Sequence, residues 1–180
     1  MNNKVRSKCL CCNKNKLNEI INLGAHSFAD RFVPKKKLNI IDPKYPLILD
    51  MCTNCKFIQS RIVTNPKNRY LEIDYSYTSS NSNYSRNHWI EFADTLEKQI
   101  SLKNKKIIEI GSNDGFLSYL LKKKKAEVLG VDASEFMVKI SKKKINAIQS
   151  IFNNNQSKKI KKLFGKADII IANNVFNHSD

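Results

Sequence analysis

A strand that runs through a glycine turn directly into a helix is the feature that most limits how this chain can fold. The apolar run 106–110 overlaps the motif E-x-G-x-x-x-G at 109–115, and an apolar helical pattern follows from Phe116. Gly111 permits a tight turn with close backbone approach to a ligand, and Gly115 lets the helix start near the strand. The third glycine of the dinucleotide fingerprint is absent. The segment therefore predicts a ligand-binding turn in an α/β fold.

Strands and helices alternate along the rest of the sequence. We predict a leading helix at 86–101, strands at 106–110, 126–131, 145–149 and 168–172, and helices at 115–123, 134–143 and 155–164. This alternation is typical of a parallel, doubly wound sheet, whose ligands bind beyond the carboxyl ends of its strands. Ser134 is the predicted N-cap of the helix that follows it. Asp132 ends the second of these strands, where a carboxylate can accept two hydrogen bonds from a ribose diol.

The sequence stops shortly after the fourth predicted strand. Parallel strands are normally paired on both sides unless they lie at an edge, and an apolar open edge promotes association. We therefore expect an incomplete sheet at 86–180, with the missing strands supplied by a separate carboxyl-terminal half or by self-association. Whether Asp180 is a natural end, a frameshift or a fragment boundary is left open.

Four of the five cysteines form two C-x2-C pairs near the amino terminus. The pairs are Cys9 with Cys12 and Cys52 with Cys55, separated by 39 residues. Two such knuckles place four thiolates on a tetrahedron that suits Zn2+, and in a reducing cytosol they are more typical of metal ligands than of disulfides. Four thiolates leave no open position, so the predicted zinc is structural. A register in which Cys11 replaces a member of the first pair stays open, and His26 is a rival ligand.

Composition divides the chain into three segments. Residues 1–65 hold the cysteines and short strand-like runs at 17–23, 45–51 and 57–63, which predict a small β-rich zinc-binding domain. Residues 66–85 form a connector rich in Tyr, Ser and Asn, in which Tyr75, Tyr77 and Tyr84 are unusual for a mere spacer. Residues 86–180 form the α/β domain.

The formal net charge of +16 invites a nucleic-acid interpretation. However, Lys, Asn and Ile are over-used together, and their AT-rich codons explain much of the charge without a selected partner. The lysine runs at 122–125 and 142–144 stand where solvated helix surfaces or loops are expected. Nucleic acid is therefore not a favoured partner. The apolar runs are too short to cross a bilayer and no signal peptide is recognisable, so we predict a cytoplasmic chain without a membrane partner.

The motifs together resemble the class I S-adenosylmethionine-dependent methyltransferases, with Glu109-x-Gly111-x-x-x-Gly115 as the first motif and Asp132 as the second. The likeness sharpens when their order is considered. The two C-x2-C pairs, Tyr75-x-Tyr77-x-Ser79, the glycine motif and Ala172-Asn-Asn-Val-x-x-His178 are similar to the nucleotide-sugar C-methyltransferases. Members carry an amino-terminal zinc-binding domain, a Rossmann-like methyltransferase domain and a further carboxyl-terminal domain. The likeness implies that this chain corresponds to about the first half of a typical member.

The resemblance implies methylation of a carbon next to the 4-keto group of a nucleotide-activated deoxysugar. A base removes the α proton, and the enolate attacks the methyl group of S-adenosylmethionine. The cofactor-binding residues implied are Glu109, Gly111, Ser112, Asn113, Asp114, Gly115, Asp132 and Asn173. The residues implied to face the sugar, where a phenol or an imidazole can hydrogen-bond the keto oxygen, are Tyr75, Tyr77 and His178. The connector would thus contribute to the active site.

Two departures from the family pattern stand out. The principal proton-abstracting pair of the family, a Glu and a His, lies beyond the part that this chain contains. An acidic residue that often meets the adenine amine is replaced here by Ser150. We therefore expect weak cofactor binding and no turnover by the chain alone.

Two other functions stay open. An RNA-modifying methyltransferase would hold nucleic acid with its zinc module and basic face, and it predicts binding that weakens steeply with salt. A non-enzymatic zinc-binding remnant predicts a folded, zinc-loaded protein that ignores S-adenosylmethionine. The sequence does not specify the sugar, its nucleotide or the carbon methylated.

Overall fold

The computed structural model describes residues 4–29, 33, 35, 38–39, 41–65, 68 and 77–176. The chain divides into two compact units, Met1–Ile73 and Asp74–Asp180. The sequence-based division at 65/66 and 85/86 stays a prediction, because most of the connector precedes residue 77.

The first unit consists of short antiparallel strands. Its strands are β1 (Lys4–Val5), β2 (Leu17–His26), β3 (Tyr45–Cys52), β4 (Ile58–Ser60) and β5 (Ile62–Val63). Strands β2, β3 and β4 form a sheet in that order, and β1 pairs with β5. The run predicted as one strand over 57–63 is divided at Arg61. The Arg61 N–H donates to the Ile48 carbonyl at 2.9 Å, while its own carbonyl accepts the Arg6 N–H at 2.9 Å.

An ion-pair network ties the strands of this unit together. The Arg61 guanidinium donates to both carboxylate oxygens of Asp50, with Nε at 3.1 and 3.0 Å and Nη2 at 2.5 Å. Its Nη1 lies 2.8 Å from Oε2 of Glu19. The Asp50 side chain is buried, so this pairing satisfies a charge that would otherwise destabilise the fold. The bonds and charge of Asp50 raise the pKa of Arg61 further above its usual range.

The second unit is a helix-covered parallel sheet. Its elements are α1 (Asn83–Gln99), β6 (Lys106–Ile110), α2 (Phe116–Lys123), β7 (Glu127–Asp132), α3 (Glu135–Ser141), β8 (Asn146–Gln149), α4 (Asn154–Phe164) and β9 (Ile169–Ile171). The strand order is β8-β7-β6-β9, with parallel pairing throughout. This is the order of the first four strands of a doubly wound sheet. The predicted class, an α/β Rossmann-like sheet preceded by a small β-rich region, is confirmed.

Polar caps fix where the helices begin. The Ser134 hydroxyl accepts the Met137 N–H at 3.3 Å, so Ser134 is the N-cap of α3 as predicted. Helix α1 begins at Asn83, three residues before its predicted start, because the Ser82 hydroxyl caps it by accepting the Ser85 N–H at 3.1 Å. Each cap satisfies a backbone donor that has no partner within the helix.

Apolar clusters cover both faces of the sheet. On one face, the strand residue Ile107 packs in a buried cluster with Leu121 of α2 and Ala93 of α1. On the other, its neighbour Ile108 lies in a cluster with Phe164 of α4. Alternate strand residues therefore enter different layers, as a sheet buried on both sides requires.

The lysine runs lie largely on exposed helix ends and turns. Lys122, Lys123, Lys142 and Lys143 are exposed, and the Nζ of Lys122 donates to the carbonyl of Lys144 at 3.1 Å. In the part of the chain that the structure describes, no helix combines the length and the apolar character needed to cross a bilayer.

Candidate functional site

Four cysteine side chains converge in the first unit. The Sγ atoms of Cys9, Cys12, Cys52 and Cys55 all lie within 4.8 Å of one another. The Sγ atoms of Cys9 and Cys55 are 3.5 Å apart, and those of Cys12 and Cys52 are 3.6 Å apart. A tetrahedral Zn2+ with Zn–S bonds of about 2.3 Å separates its sulfur ligands by about 3.8 Å. The donor type and the spacing of the four thiols therefore fit zinc.

The two cysteine pairs adopt the same backbone turn. The carbonyl of each leading cysteine accepts the N–H four residues later, from Asn13 to Cys9 at 2.9 Å and from Lys56 to Cys52 at 2.8 Å. Asn13 and Lys56 both have left-handed backbones, with φ of 56° and 63°. Because the turns are equivalent, each directs its two thiols towards the shared centre.

The alternative ligands lie elsewhere. Cys11 is exposed and outside the cluster. The Nε2 atom of His26 lies 2.6 Å from the carbonyl oxygen of Leu23 at the end of β2. Of the first pair, the cluster therefore contains Cys9 and Cys12, and their role as metal ligands stays a prediction.

Residues 111–115, hereafter the glycine loop, join β6 to α2 at the carboxyl edge of the sheet. Gly111 and Gly115 have φ of 69° and 74°, which side-chain-bearing residues rarely adopt. A Cβ at position 111 would collide with the side chain of Val175, and one at position 115 would lie 2.8 Å from Cβ of Ser141. Glycine is thus required at both positions by conformation and by space.

Asp132 links this loop to the next helix. Its Oδ2 accepts the N–H of Asn113 at 2.8 Å, and its Oδ1 accepts the N–H of Ser134 at 2.8 Å. Burial raises the pKa of this carboxyl, against the lowering effect of the backbone N–H groups. Each carboxylate oxygen retains acceptor capacity for a ligand donor. The carboxylate therefore lies at the edge of the sheet where a ribose diol was predicted to bind.

The described end of the connector, residues 77–80, lies against the glycine loop. The Asn113 side chain accepts the N–H of Ser79 at 2.8 Å and donates to the carbonyl of Tyr77 at 2.9 Å. The Asp114 carboxylate accepts the hydroxyls of Ser79, at 2.5 Å, and Ser80. Asn113 and Asp114 therefore hold protein groups around the loop, in addition to any contact with a cofactor.

Glu109 lies within β6 and is buried beneath the loop. Its Oε2 accepts the backbone N–H of Ser118 at 3.0 Å and the Ser118 hydroxyl at 2.5 Å, which ties the strand to α2. Burial raises the pKa of Glu109 to about 8, although both bonds from Ser118 oppose this change. The negative charges of Asp114 and Asp132 raise it further. In these contacts Glu109 fixes the framework of the loop.

Two polar side chains at the site lack partners among the described residues. The Ser112 hydroxyl is buried and faces β7, 2.7 Å from where a Cβ on Gly130 would lie. The side-chain nitrogen of Asn173, in the turn after β9, is also buried without an acceptor. Because a buried donor without a partner destabilises the fold, the Asn173 amide is suited to an acceptor on a ligand.

The predicted sugar-facing residues are only partly described. Tyr77 is 48% exposed, whereas Tyr75 and His178 lie outside the described residues. Ser150, predicted near the adenine, donates its N–H to the carbonyl of Asp132 at 2.8 Å. The assigned roles of these residues stay predictions.

The sequence analysis did not predict the roles of Ser79, Ser80 and Val175. The serines accompany the tyrosine motif, and the signal for their roles is the Asn113-Asp114 pair, whose side-chain oxygens require donors but do not specify which ones. Val175 carried no such signal, since its contact with the glycine loop depends on the turn after β9.

Family comparisons agree with the two-part architecture. Residues 9–70 match a family model described as "Putative zinc binding domain", and residues 108–180 match one described as "Methyltransferase domain". One region of the chain is thus similar to a zinc-binding domain and another to a methyltransferase domain. The predicted pairing of a zinc module with a methyltransferase domain is confirmed at this level. No curated protein matches the chain in sequence.

Several solved structures are similar to part of the chain. They include magnesium protoporphyrin IX methyltransferase from Synechocystis PCC 6803 with bound SAH, at 21% identity and a TM-score of 0.41, covering 51% of this chain and 42% of that one. A protein described as a putative RNA methyltransferase from Pyrococcus horikoshii has 17% identity and a TM-score of 0.40, with coverage of 54% and 53%. This chain thus spans less than half the length of the first of these structures.

Proposed function

We propose that this chain is the amino-terminal part of an S-adenosylmethionine-dependent C-methyltransferase that acts on a nucleotide-activated 4-keto deoxysugar through an enolate. The observation that carries the proposal is the contact between the Tyr77 carbonyl and the Asn113 side chain on the glycine loop. It brings a tyrosine-bearing connector to the glycine loop, where the methyl donor is proposed to bind, within a chain that also carries a four-cysteine module.

The residues at the carboxyl edge fit the methyl donor. The carboxylate of Asp132 would accept hydrogen bonds from the ribose hydroxyls, and the unpaired amide of Asn173 would donate to the amino-acid end. The backbone of the glycine loop allows close approach because Gly111 has no side chain. When bound, S-adenosylmethionine supplies an electrophilic methyl group on a positively charged sulfur.

The charge of the site favours that donor. The Asp132 carboxylate lies beside the glycine loop and is largely removed from solvent. Because electrostatic attraction is stronger away from water, this carboxylate would favour a sulfonium over the neutral thioether left after transfer. Its charge would therefore help the site to distinguish substrate from product.

The sugar-side chemistry is assigned to the connector. The Tyr77 phenol would donate a hydrogen bond to the keto oxygen, where negative charge develops when the α proton is removed. Tyr75 and His178 are proposed to share this role, and the main base is expected in a segment or chain that follows. The zinc is structural, since four thiolates leave no position for substrate.

Calorimetric titration of S-adenosylmethionine into the zinc-loaded chain tests the cofactor site. Asp132→Ala should weaken binding by roughly 1.5–3 kcal/mol, because a charged hydrogen-bond acceptor is lost. Asp94→Ala, on the exposed surface of α1, is the matched control and should bind like the wild type. Equal affinities of all three proteins would place the ribose elsewhere.

Methyl transfer to 4-keto nucleotide sugars, measured after the chain is joined to or mixed with the missing half, tests the substrate. Tyr77→Phe should lower the rate of transfer while leaving the affinity for S-adenosylmethionine unchanged. Absence of transfer by the completed enzyme, together with salt-sensitive RNA binding, would instead favour the RNA-modifying alternative.

A further inference from the structure

We propose that Asp114 is a positioning residue that fastens residues 77–80, hereafter the strap, across the glycine loop, and that closure of the strap is coupled to binding of the methyl donor. The sequence analysis predicted Asp114 to be a cofactor-binding residue. In the structure its carboxylate is buried and bonded to the two serine hydroxyls of the strap. Asp114 therefore acts on the donor through the strap.

The hydrogen bonds that the Asp114 carboxylate accepts are strong. Hydroxyl donors to an ionised carboxylate make hydrogen bonds roughly twice as strong as those between neutral groups. Ser79 donates to Oδ1 and Ser80 donates to Oδ2, so each oxygen holds a different residue of the strap. Oδ1 also accepts the N–H of Phe116 at 3.3 Å, at the start of α2. One buried carboxylate thus joins the strap to the helix that leaves the glycine loop.

The opposite side of the strap is fixed to α1. The Trp89 indole N–H donates to the Ser79 carbonyl at 3.2 Å, and the Ser85 hydroxyl donates to the same oxygen. The Arg86 guanidinium donates to the Ser80 carbonyl at 2.6 Å. The strap is therefore held between α1 and the glycine loop, where Asp114 binds its two serine hydroxyls and the Asn113 side chain binds its backbone.

The strap in turn determines the shape of the loop. Asn113 has a left-handed backbone with φ of 51°, a conformation that disfavours most residues bearing a side chain. Its side chain is fixed by the Ser79 N–H and the Tyr77 carbonyl, and its own N–H donates to Asp132. Release of the strap would free Asn113, and with it one of the groups that orient the Asp132 carboxylate. Donor binding would then have to re-order the loop, which lowers affinity.

A double-mutant cycle tests this coupling. Its ligand is S-adenosylmethionine, so the test rests on the proposed function. We expect Asp114→Ala and the pair Ser79→Ala/Ser80→Ala each to weaken S-adenosylmethionine binding about tenfold, because both remove the two hydroxyl bonds between the strap and the Asp114 carboxylate. The serine variant keeps the bond between Asp114 and the Phe116 N–H. It therefore distinguishes the effect of the strap contacts on affinity from the effect of a disturbed start of α2. The triple variant should bind no more weakly than the serine pair, since Asp114 acts on the strap only through these two hydroxyls and its remaining bond, to the Phe116 N–H, lies at the start of α2.

Trp89 provides a second readout without the ligand. It is the single tryptophan of the chain, and its N–H bonds to the strap. Opening the strap should shift its fluorescence emission to longer wavelength in Asp114→Ala and in the serine pair. Asp94→Asn, which removes an acid from the exposed surface of the same helix, should leave the emission unchanged.

The outcomes separate this inference from the proposed function. A further tenfold loss of affinity in the triple variant would mean that Asp114 contacts the donor directly, and it would overturn the positioning role. Unchanged Trp89 emission in both strap variants would overturn the attachment itself. A wild-type chain that binds no S-adenosylmethionine would contradict the proposed function and the coupling, whereas the emission shift would still support Asp114 as the anchor of the strap.

Discussion

The two units of this chain are stabilised by different means. Among the described residues of the first unit, apolar side chains that remain exposed include Ile20, Ile21, Leu23, Leu47 and Ile58. In the second unit, apolar side chains such as Leu121 and Ile107 are fully buried between sheet and helices. Hydrophobic burial therefore accounts for the second unit, whereas the first depends on its ion pairs and, above all, on metal. The comparison teaches that loss of zinc and loss of core volume should affect different halves of the molecule.

Removal of zinc should have the largest effect, and it should affect the first unit only. Zinc binding contributes on the order of 10 kcal/mol to the folding of small zinc modules. Chelation, or Cys52→Ser, should therefore unfold the first unit while Trp89, in the second, keeps its native emission. Limited proteolysis with mass spectrometry would locate the cleavage sites.

Cys11→Ser is the matched control for the zinc prediction. Its thiol is exposed and outside the cluster, so the variant should retain zinc and resist proteolysis like the wild type. A Cys52→Ser protein with an unchanged melting profile would show that the thiols do not hold a structural metal.

A cavity in the second unit should have the opposite effect. Leu121 is fully buried, and Leu→Ala changes at such positions cost about 2–5 kcal/mol. Leu121→Ala should lower the unfolding transition reported by Trp89 and leave zinc content unaltered. Leu163→Ala, at a side chain that is 71% exposed, should change neither. Equal destabilisation of the two units by Leu121→Ala would show that they unfold together.

The last expected effect is a gradual pH dependence confined to the second unit. Glu109 has its pKa raised from 4.5 to about 8, so folding favours its protonated form. Its contribution to stability is complete below about pH 4.5 and is lost progressively as the pH rises towards 8. Denaturant unfolding followed at Trp89 between pH 6 and 8 should show this decline. Glu109→Gln should remove this dependence of stability on pH. Glu127→Gln, at an exposed position, should leave it unchanged.

Much of the fold is predictable because its signals are local. The strand Lys106–Ile110 was predicted with both of its bounds, since an apolar run ends there at a glycine turn. The division of 57–63 at Arg61 was not, because it depends on the partners of that arginine in other strands. Strand β1, with two residues, is too short to leave a periodic pattern.

The candidate site likewise combines residues that local patterns predict with contacts that local patterns do not predict. The four cysteines were found from their spacing and Asp132 from its place after a strand, both of which are local patterns. The contacts of Ser79 and Ser80 with Asp114 join residues 35 and 34 positions apart. No periodicity or motif encodes such a contact, so it emerges only when the chain is folded.

The long interval between the two cysteine knuckles has a consequence for how the protein is made. A ribosome that adds about 5–20 residues per second exposes Cys55 about 2–9 s after Cys12. During that interval the nascent chain presents two thiols of an incomplete centre, open to oxidation or to capture of another metal. The metal centre of the module that comes first in the sequence therefore cannot be completed until its second knuckle has emerged from the ribosome.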